Sequence, residues 1–301
     1  MGFVAKGKGG KKTGVPKPLA SNERATKDAI QSGVAGAIDS LKAGLDQPAV
    51  VAAIKSGRAD RVISSLNWSI FISRMGRAAE KIGTVVAQTA KAGVGLPVHV
   101  SQKLSFDLTD PRAVHYAQMR AGDLLTSVTD QQKVLVKSII VSAVRDGVNP
   151  EQTIGSLSRV IGLNDRQAVA LENAYQKTIA LHLKNGATMG LATQRAQDMA
   201  KGYRIRLIEQ RAEMVARTEV MYAQNAGRLL GFQDAVDQGL VAQDSMKQWS
   251  VSGLSNTCDE CAGLDGETVA LDDTFSNGED NAPAHPNCEC TILLVPASEA
   301  A

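Results

Sequence analysis

Apolar residues recur at intervals of three and four along most of the chain, which is the spacing of one face of an α-helix. This spacing predicts a helix from Asn67 to Lys91. It also predicts helices at about 111–127, 130–146, 150–161, 165–184 and 188–200, and a longest one from Tyr203 to Gln238. After Gly239 the pattern changes to short strands and turns. The predicted fold class is therefore mainly α, with an N-terminal and central helical bundle followed by a small C-terminal α+β module.

Capping residues indicate where several helices begin. Asp110 and Pro111 combine an N-cap side chain with proline at the first helical position. Thr129 with Gln132 fits a capping box. One helix is therefore predicted to end before Thr129, and another to begin at residue 130.

The first 109 residues carry weaker signals. Ser21 or Asn22 is the predicted N-cap of the first helix. The segment 92–109 contains glycines, a proline and β-favouring residues, so it is predicted to be a linker with one short strand. Four regions are predicted in all: a flexible basic arm (1–20), an N-terminal helical region with its linker (21–109), a central helical domain (110–240) and an acidic C-terminal module (241–301).

The amino-acid composition agrees with a helical protein that does not span a membrane. The chain has 301 residues, 44% of them hydrophobic, but only 4% aromatic, which disfavours an all-β sandwich or barrel. The longest apolar run, residues 138–144, is far shorter than the roughly 18 residues needed to span a bilayer. The first twelve residues lack the apolar stretch of a secretion signal. The protein is therefore expected not to enter membranes and to stay where it is made.

Charge is distributed unevenly. From Asp244 onward, eleven acidic residues face a single base, Lys247, so this stretch carries −10 and the preceding 243 residues carry +12. Such asymmetry suggests that the two ends meet different partners. An acidic surface repels phosphates, so the C-terminal module is expected to bind protein rather than DNA.

The arm at residues 1–20 is rich in lysine and glycine and has no acid. Its candidate nucleic-acid-binding residues are Lys6, Lys8, Lys11, Lys12 and Lys17. One interpretation is contact with nucleic-acid phosphates. The other is a solubilising tail.

Glu219 interrupts the apolar stripe of the last long helix, and a buried carboxylate needs a partner. One interpretation joins Glu219 with Arg217, Thr218 and Asn225 in a polar network that determines how this helix docks. The other leaves Glu219 in solvent. No second acid or base is spaced to work with it, so no catalytic residue and no enzymatic activity are predicted.

All four cysteines lie in the C-terminal module, as Cys258-x-x-Cys261 and as His285-x-x-Cys288 followed by Cys290. Two such pairs can converge on one tetrahedral ion, and thiolate and imidazole ligands suit zinc. The predicted ion is structural, because a closed site leaves no position for a substrate. Disulfides, a thiol redox pair and unliganded core cysteines are the competing interpretations.

The preferred zinc ligands are Cys258, Cys261, His285 and Cys288, with Cys290 as a substitute for His285 or Cys288. A turn at residues 287–288 would aim the Cys288 side chain inward beside His285. Zinc would also explain how an acidic tail with few large apolar residues folds, because structural zinc contributes about 10–16 kcal/mol in small domains. The C-terminal module is therefore predicted to be braced by zinc.

An ordered set of motifs resembles a known family. The set comprises Arg211-Ala-Glu-Met-Val-Ala-Arg-Thr-Glu219, Asn225, Gly231-Phe232, Ala235, Gly239, Trp249, Cys258-x-x-Cys261, Leu264-x-Gly266, Phe275 and His285-Pro-Asn-Cys288-Glu-Cys290. Over roughly residues 110–295 the chain is similar to the phage head morphogenesis proteins, the Mu F-like minor head proteins of tailed bacteriophages. Family members often carry arginine where this chain has Glu289.

The resemblance implies a structural virion protein. Its expected place is the phage head near the portal vertex, with the host cytoplasm as its location during assembly. The implied partners are the portal protein, other head proteins and packaged double-stranded DNA, with no membrane and no small-molecule substrate. The implied roles are head assembly and DNA packaging or ejection.

Two alternatives come from other functional classes. One is a metal-dependent hydrolase or nuclease that uses His285 with Asp272, Asp273 or Asp280. The other is a DNA-binding protein that acts through its basic N-terminal region.

Overall fold

Helices dominate the part of the chain that the computed structural model describes, residues 17–253 and 257–295. The helices there are α1 (Lys17–Lys42), α2 (Gln47–Ser56), α3 (Asp60–Ser65), α4 (Trp68–Lys91), α5 (Val98–Ser101), α6 (Pro111–Arg145), α7 (Pro150–Val160), α8 (Asp165–Lys184), α9 (Met189–Asp237) and α10 (Asp259–Leu264). The strands are β1 (Met246–Ser250), β2 (Thr268–Ala270) and β3 (Thr291–Val295). The mainly α fold class is confirmed, with a small C-terminal sheet.

One continuous hydrophobic core, here called the helical core, lies between Ile30 and Ala226 in sequence. Helices α1, α4 and α9 pack on one another at its centre, and α6, α7 and α8 pack around them. Residues from both sides of position 109 contribute to it, and the predicted division into regions remains a prediction. None of the helices in the described ranges combines the length and apolar character needed to cross a bilayer.

The predicted break before Thr129 is wrong, because α6 continues from Pro111 to Arg145 without interruption. Gln132, the predicted second residue of the capping box, is fully buried. Its amide donates to the carbonyl of Leu163 at 2.9 Å, and its Oε1 accepts the backbone N–H of Gly162 at 2.7 Å. The side chain is therefore committed to the turn after α7 and does not cap a helix.

The two helices predicted at 188–200 and 203–238 are one helix of 49 residues, α9, which spans about 70 Å. Its N-cap is Thr188, whose hydroxyl accepts the N–H of Leu191 at 3.3 Å. Gly202 lies inside the helix at an expected cost of about 1 kcal/mol. The side chains of Ala200 and Arg204 are buried on either side of it, and that packing keeps the helix continuous.

Two predictions for the N-terminal region are also wrong. The first helix begins before Ser21 and Asn22, because α1 is helical from Lys17. Pro18 occupies the second position of α1, where a missing N–H costs no hydrogen bond. The segment 92–109 contains the short helix α5 instead of a strand. The N–H groups of Val100 and Ser101 both donate to the carbonyl of Pro97 at 2.9 Å, so local hydrogen bonds satisfy this backbone without a partner strand.

The sheet is antiparallel, in the order β2-β1-β3. Met246 of β1 is paired with Ala270 on one side and Val295 on the other. The buried face of the sheet belongs to a second hydrophobic cluster that includes Trp249, Phe275 and Ile292. The rings of Trp249 and Phe275 meet edge to face, with centroids 5.0 Å apart.

The last turns of α9 complete this second cluster. Phe232 is fully buried in it, and Val236 is nearly so. The same helix therefore contributes to the helical core through its middle and to the C-terminal module through its end. This shared helix positions the cysteine and histidine side chains described next.

Candidate metal centre

The Cys258-x-x-Cys261 pair lies at the start of the short helix α10. Cys258 is the N-cap residue, and its Sγ accepts the backbone N–H of Cys261 at 3.4 Å. One helical turn brings the two sulfurs to the same side of the chain. Cys261 is buried, whereas Cys258 is partly exposed.

A second tight turn presents His285 and Cys288. Asn287 has a left-handed backbone with φ of 61°, a conformation that asparagine tolerates better than most residues. The N–H of Cys288 donates to the carbonyl of His285 at 3.1 Å and closes the turn. This is the place at which the sequence predicts a turn that aims Cys288 inward.

The two turns face each other across a very small space. Nε2 of His285 lies 3.1 Å from Sγ of Cys258 and 3.3 Å from Sγ of Cys261. Sγ of Cys261 lies 3.5 Å from Sγ of Cys288. The cavity between them measures about 30 Å³. The fold thus brings together side chains that are 24 to 27 positions apart in sequence.

This donor set fits a zinc ion. Zinc–sulfur and zinc–nitrogen bonds of about 2.3 and 2.0 Å place neighbouring ligand atoms of a tetrahedral site roughly 3.5–3.8 Å apart. The separations here equal that range or fall a few tenths of an ångström below it. Nδ1 of His285 lies 3.0 Å from the carbonyl of Pro286, which suits an Nδ1–H donor and leaves Nε2 facing the sulfurs.

The five candidate ligands form two overlapping groups. Within each group the ligand atoms lie within 4.8 Å of one another: Cys258, Cys261 and His285 in one, and Cys261, Cys288 and Cys290 in the other. Cys261 belongs to both groups. The structure therefore brings all five predicted residues together, and the assignment of the fourth ligand stays a prediction.

The pKa values of the thiols move in opposite directions. The N–H of Cys261 donates to Cys258 and lowers the pKa of that thiol. Burial raises the pKa of Cys261 and raises the pKa of Cys290 to about 11. Burial also acts upward on Cys288, but hydrogen bonds, led by the N–H of Cys290, lower its pKa overall. A bound dication would favour the thiolate form of every ligand, against the effect of burial on Cys261 and Cys290.

Polar side chains of α9 fasten the segment that carries Cys288 and Cys290. The amide of Asn225, which is fully buried, donates to the carbonyl of Cys290 at 3.0 Å. Its Oδ1 accepts the hydroxyl of Thr291 at 2.8 Å. The hydroxyl of Thr218 accepts the N–H of Asn287 at 3.1 Å.

Arg217 and Glu289 add an ion pair to this contact. Both side chains are partly exposed. The predicted network residues Arg217, Thr218 and Asn225 therefore all reach the segment 287–291. Sequence reasoning did not identify Glu289 as the partner of Arg217, although an acid beside two cysteines is a visible signal.

Glu219 faces another direction. Its carboxylate accepts two hydrogen bonds from the guanidinium of Arg120 on α6, at 2.8 and 3.2 Å. Burial raises the pKa of Glu219, against the opposing effect of Arg120. The Arg120 guanidinium also lies 3.9 Å from the ring centroid of Tyr222. Glu219 thus ties α9 to α6, and nothing local in the sequence indicated Arg120, which is 99 positions away.

The remaining predicted site residues are not part of this centre. Lys6, Lys8, Lys11 and Lys12 lie outside the described residues, and Lys17 is the first residue of α1. Asp272 accepts a hydrogen bond from Gln233 at 3.1 Å. In the part of the chain that the structure describes, no carboxylate, including those of Asp272, Asp273 and Asp280, joins a group of three potential ligands.

Comparison with known proteins places this arrangement in a family. The family model described as Phage Mu protein F like protein matches residues 136–293, slightly more than half of the chain. The match includes the cysteines, His285 and the part of α9 that contacts them. No curated protein and no solved structure shows significant similarity to the chain. The resemblance noted in the sequence is confirmed, and the chain belongs to the Phage Mu protein F like family.

Proposed function

We propose that this phage head-related protein is a structural minor head protein that associates with the portal and the capsid interior. It acts in head assembly and in DNA packaging or ejection. The supporting observation is that one short segment, residues 285–291, carries both metal-ligand candidates and the contacts to α9. Such a segment makes a rigid docking element when its ligands are held.

A structural zinc ion completes the proposal. Cys258, Cys261, His285 and either Cys288 or Cys290 would hold it. When bound, zinc supplies positive charge and tetrahedral geometry that fix the two turns relative to each other. With every coordination position taken by a protein side chain, no position remains for substrate. This is why the proposal assigns no enzymatic activity.

Charge supports a protein partner for the C-terminal module. The stretch from Asp244 onward carries −10. A basic patch on another head protein would attract this surface, whereas packaged DNA would repel it. Contact with DNA is assigned to the basic remainder of the chain.

Metal content tests the zinc part of the proposal. Purified full-length protein should contain about one zinc per chain by elemental analysis. Cobalt substitution should give the absorption of a saturated, thiolate-rich tetrahedral site. A spectrum with bound water would contradict a closed site and favour the hydrolase alternative.

Particle fractionation tests the head part of the proposal. Assembled particles would be separated into empty heads, filled heads and isolated portal complexes, and each fraction probed for this polypeptide. We expect co-purification with portal complexes and filled heads. Recovery only as free protein, with none in any particle fraction, would overturn the assignment even if zinc is present.

A further inference from the structure

A cationic cavity lies between α1, α7 and α9, away from the metal centre. Its volume is about 490 Å³, within the range of small-molecule sites. Its charged lining residues are Asp39, Lys42, Arg159, Lys201 and Arg204. Four cations thus line this cavity together with a single acid.

Arg204 is built into the wall. Its side chain is 7% exposed, and its guanidinium donates to Asp39 at 2.7 Å and to the carbonyl of Ile161 at 2.9 Å. Its buried Nε has no hydrogen-bond partner among the described residues. The Asp39 side chain is 64% exposed, so solvent screens much of its charge. The buried cation is therefore only partly compensated.

The other cations differ in how they are paired. Arg159 is bound to Glu172 at 2.9 Å. Lys201 lies 3.4 Å from Asp198, in a pair that is largely exposed. The side chain of Lys42 makes no hydrogen bond or ion pair with the residues that the structure describes. Lys42 is therefore free to turn toward a ligand, and Lys201 would give up only a weak, exposed ion pair to do so.

The charges around Lys42 are predominantly positive. Burial lowers the pKa of Lys42, and the charges of Arg204 and Lys201 lower it further, against the opposing charge of Asp39. Neighbouring cations therefore outnumber neighbouring anions at this position. An anion entering the cavity would relieve this repulsion.

We propose that this cavity binds a phosphate group, either as a free phosphate compound or as a phosphodiester of a nucleic-acid backbone. Lys42 and Lys201 bind the phosphate oxygens, and Arg204 supplies fixed positive charge behind them. Guanidinium and ammonium groups together match the charge and the acceptor oxygens of phosphate. The proposal does not depend on the zinc centre or on the role in the phage head.

The test compares two double variants of the full-length protein. Lys42→Gln with Lys201→Gln removes two cations from the cavity. The control, Lys137→Gln with Lys184→Gln, removes two exposed cations elsewhere, so that both double variants have the same net charge. Pyrophosphate and a DNA duplex of about 30 base pairs are titrated separately, the duplex at several salt concentrations.

Cavity binding predicts at least a roughly tenfold loss of affinity in the cavity variant and little change in the control. If the loss appears with pyrophosphate, the source is a free phosphate compound. If it appears only with DNA, and the salt slope falls by roughly two, the source is the backbone. Equal weakening of both variants, or no binding of either probe to the unaltered protein, would overturn the proposal.

A second measurement uses the unaltered protein. Saturating pyrophosphate or duplex should protect Lys42 and Lys201, but not Lys137, from amine acetylation, as measured by mass spectrometry of peptides. Unchanged acetylation of Lys42 and Lys201 with both probes would overturn the proposal regardless of how the variants fold.

Discussion

The helical core and the C-terminal module differ in the interactions that hold them together. The helical core buries apolar faces of long helices that pack over many turns. The C-terminal module has three strands of at most five residues and a small cluster around Trp249 and Phe275. It also brings the sulfurs of its four cysteines and the His285 imidazole together, and it shares α9 with the helical core. Metal and polar contacts should therefore matter far more to the C-terminal module.

The largest expected effect comes from Cys261→Ser, because Cys261 belongs to both ligand groups. We expect the part of the chain after about residue 245 to lose protease resistance while the helices keep theirs. Zinc binding contributes about 10–16 kcal/mol in comparable small domains, more than the module's small core can replace. Limited proteolysis with mass spectrometry would locate the cleavages. Full resistance in a zinc-free Cys261→Ser protein would remove the distinction between the two regions.

Arg120→Ala should instead weaken the helical core. It leaves the buried carboxylate of Glu219 without its partner, which costs about 3 kcal/mol. Glu219→Gln should cost less, because burial already opposes the ionised form. Urea unfolding followed by circular dichroism measures both variants. An equal loss of unfolding free energy in Arg120→Ala and Glu219→Gln would contradict the view that the unpaired carboxylate causes most of the destabilisation.

The same pair has a predictable pH dependence. The pKa of Glu219 is raised in the folded state, so its contribution to stability is present below the unfolded pKa and is lost as pH rises through the folded pKa. The free energy of unfolding of the unaltered protein, relative to Glu219→Gln, should therefore decrease from about pH 4 to pH 7. An increase in this relative free energy of unfolding from about pH 4 to pH 7 would contradict a raised pKa of Glu219 in the folded state.

Asn225→Ala tests the joint between the two regions. It leaves the buried carbonyl of Cys290 and the hydroxyl of Thr291 without their partner, at a cost of about 2 kcal/mol. Zinc release to a chelator should become faster, because the segment beside Cys288 is held less firmly. The matched control is Asn173→Ala, the same change at an exposed position of α8. Equal release rates in both variants would show that Asn225 does not hold the segment that carries Cys288 and Cys290.

The smallest effect is expected at the ion pair between Arg217 and Glu289, which is partly exposed. Arg217→Glu should destabilise the C-terminal module by about 0.5 kcal/mol, and adding Glu289→Arg should restore the loss. Thermal unfolding of the single variants and of the double variant gives the coupling energy. Additive effects in the double variant would exclude a direct interaction.

Local sequence signals predicted much of this protein correctly. The three- and four-residue spacing predicted helices, and Asp110 with Pro111 correctly located the start of α6. The motif order from Arg211 to Cys290 led to the family that the comparison shows. Local signals were misleading at Thr129 and Gln132, which fit a capping box, and between the predicted helices at 188–200 and 203–238. Tertiary packing keeps the helix continuous at both places.

The sequence by itself determined that the chain is helical, that its acids and cysteines are concentrated at one end, and that two short motifs can share an ion. These properties follow from periodicity, charge and spacing, which are local. Only the tertiary structure decided that Arg120 pairs with Glu219, that Asn225 holds the carbonyl of Cys290, and that Lys42 and Arg204 line one cavity. Such partners lie tens to more than a hundred positions apart, and packing of the helices, rather than any local pattern, brings them together.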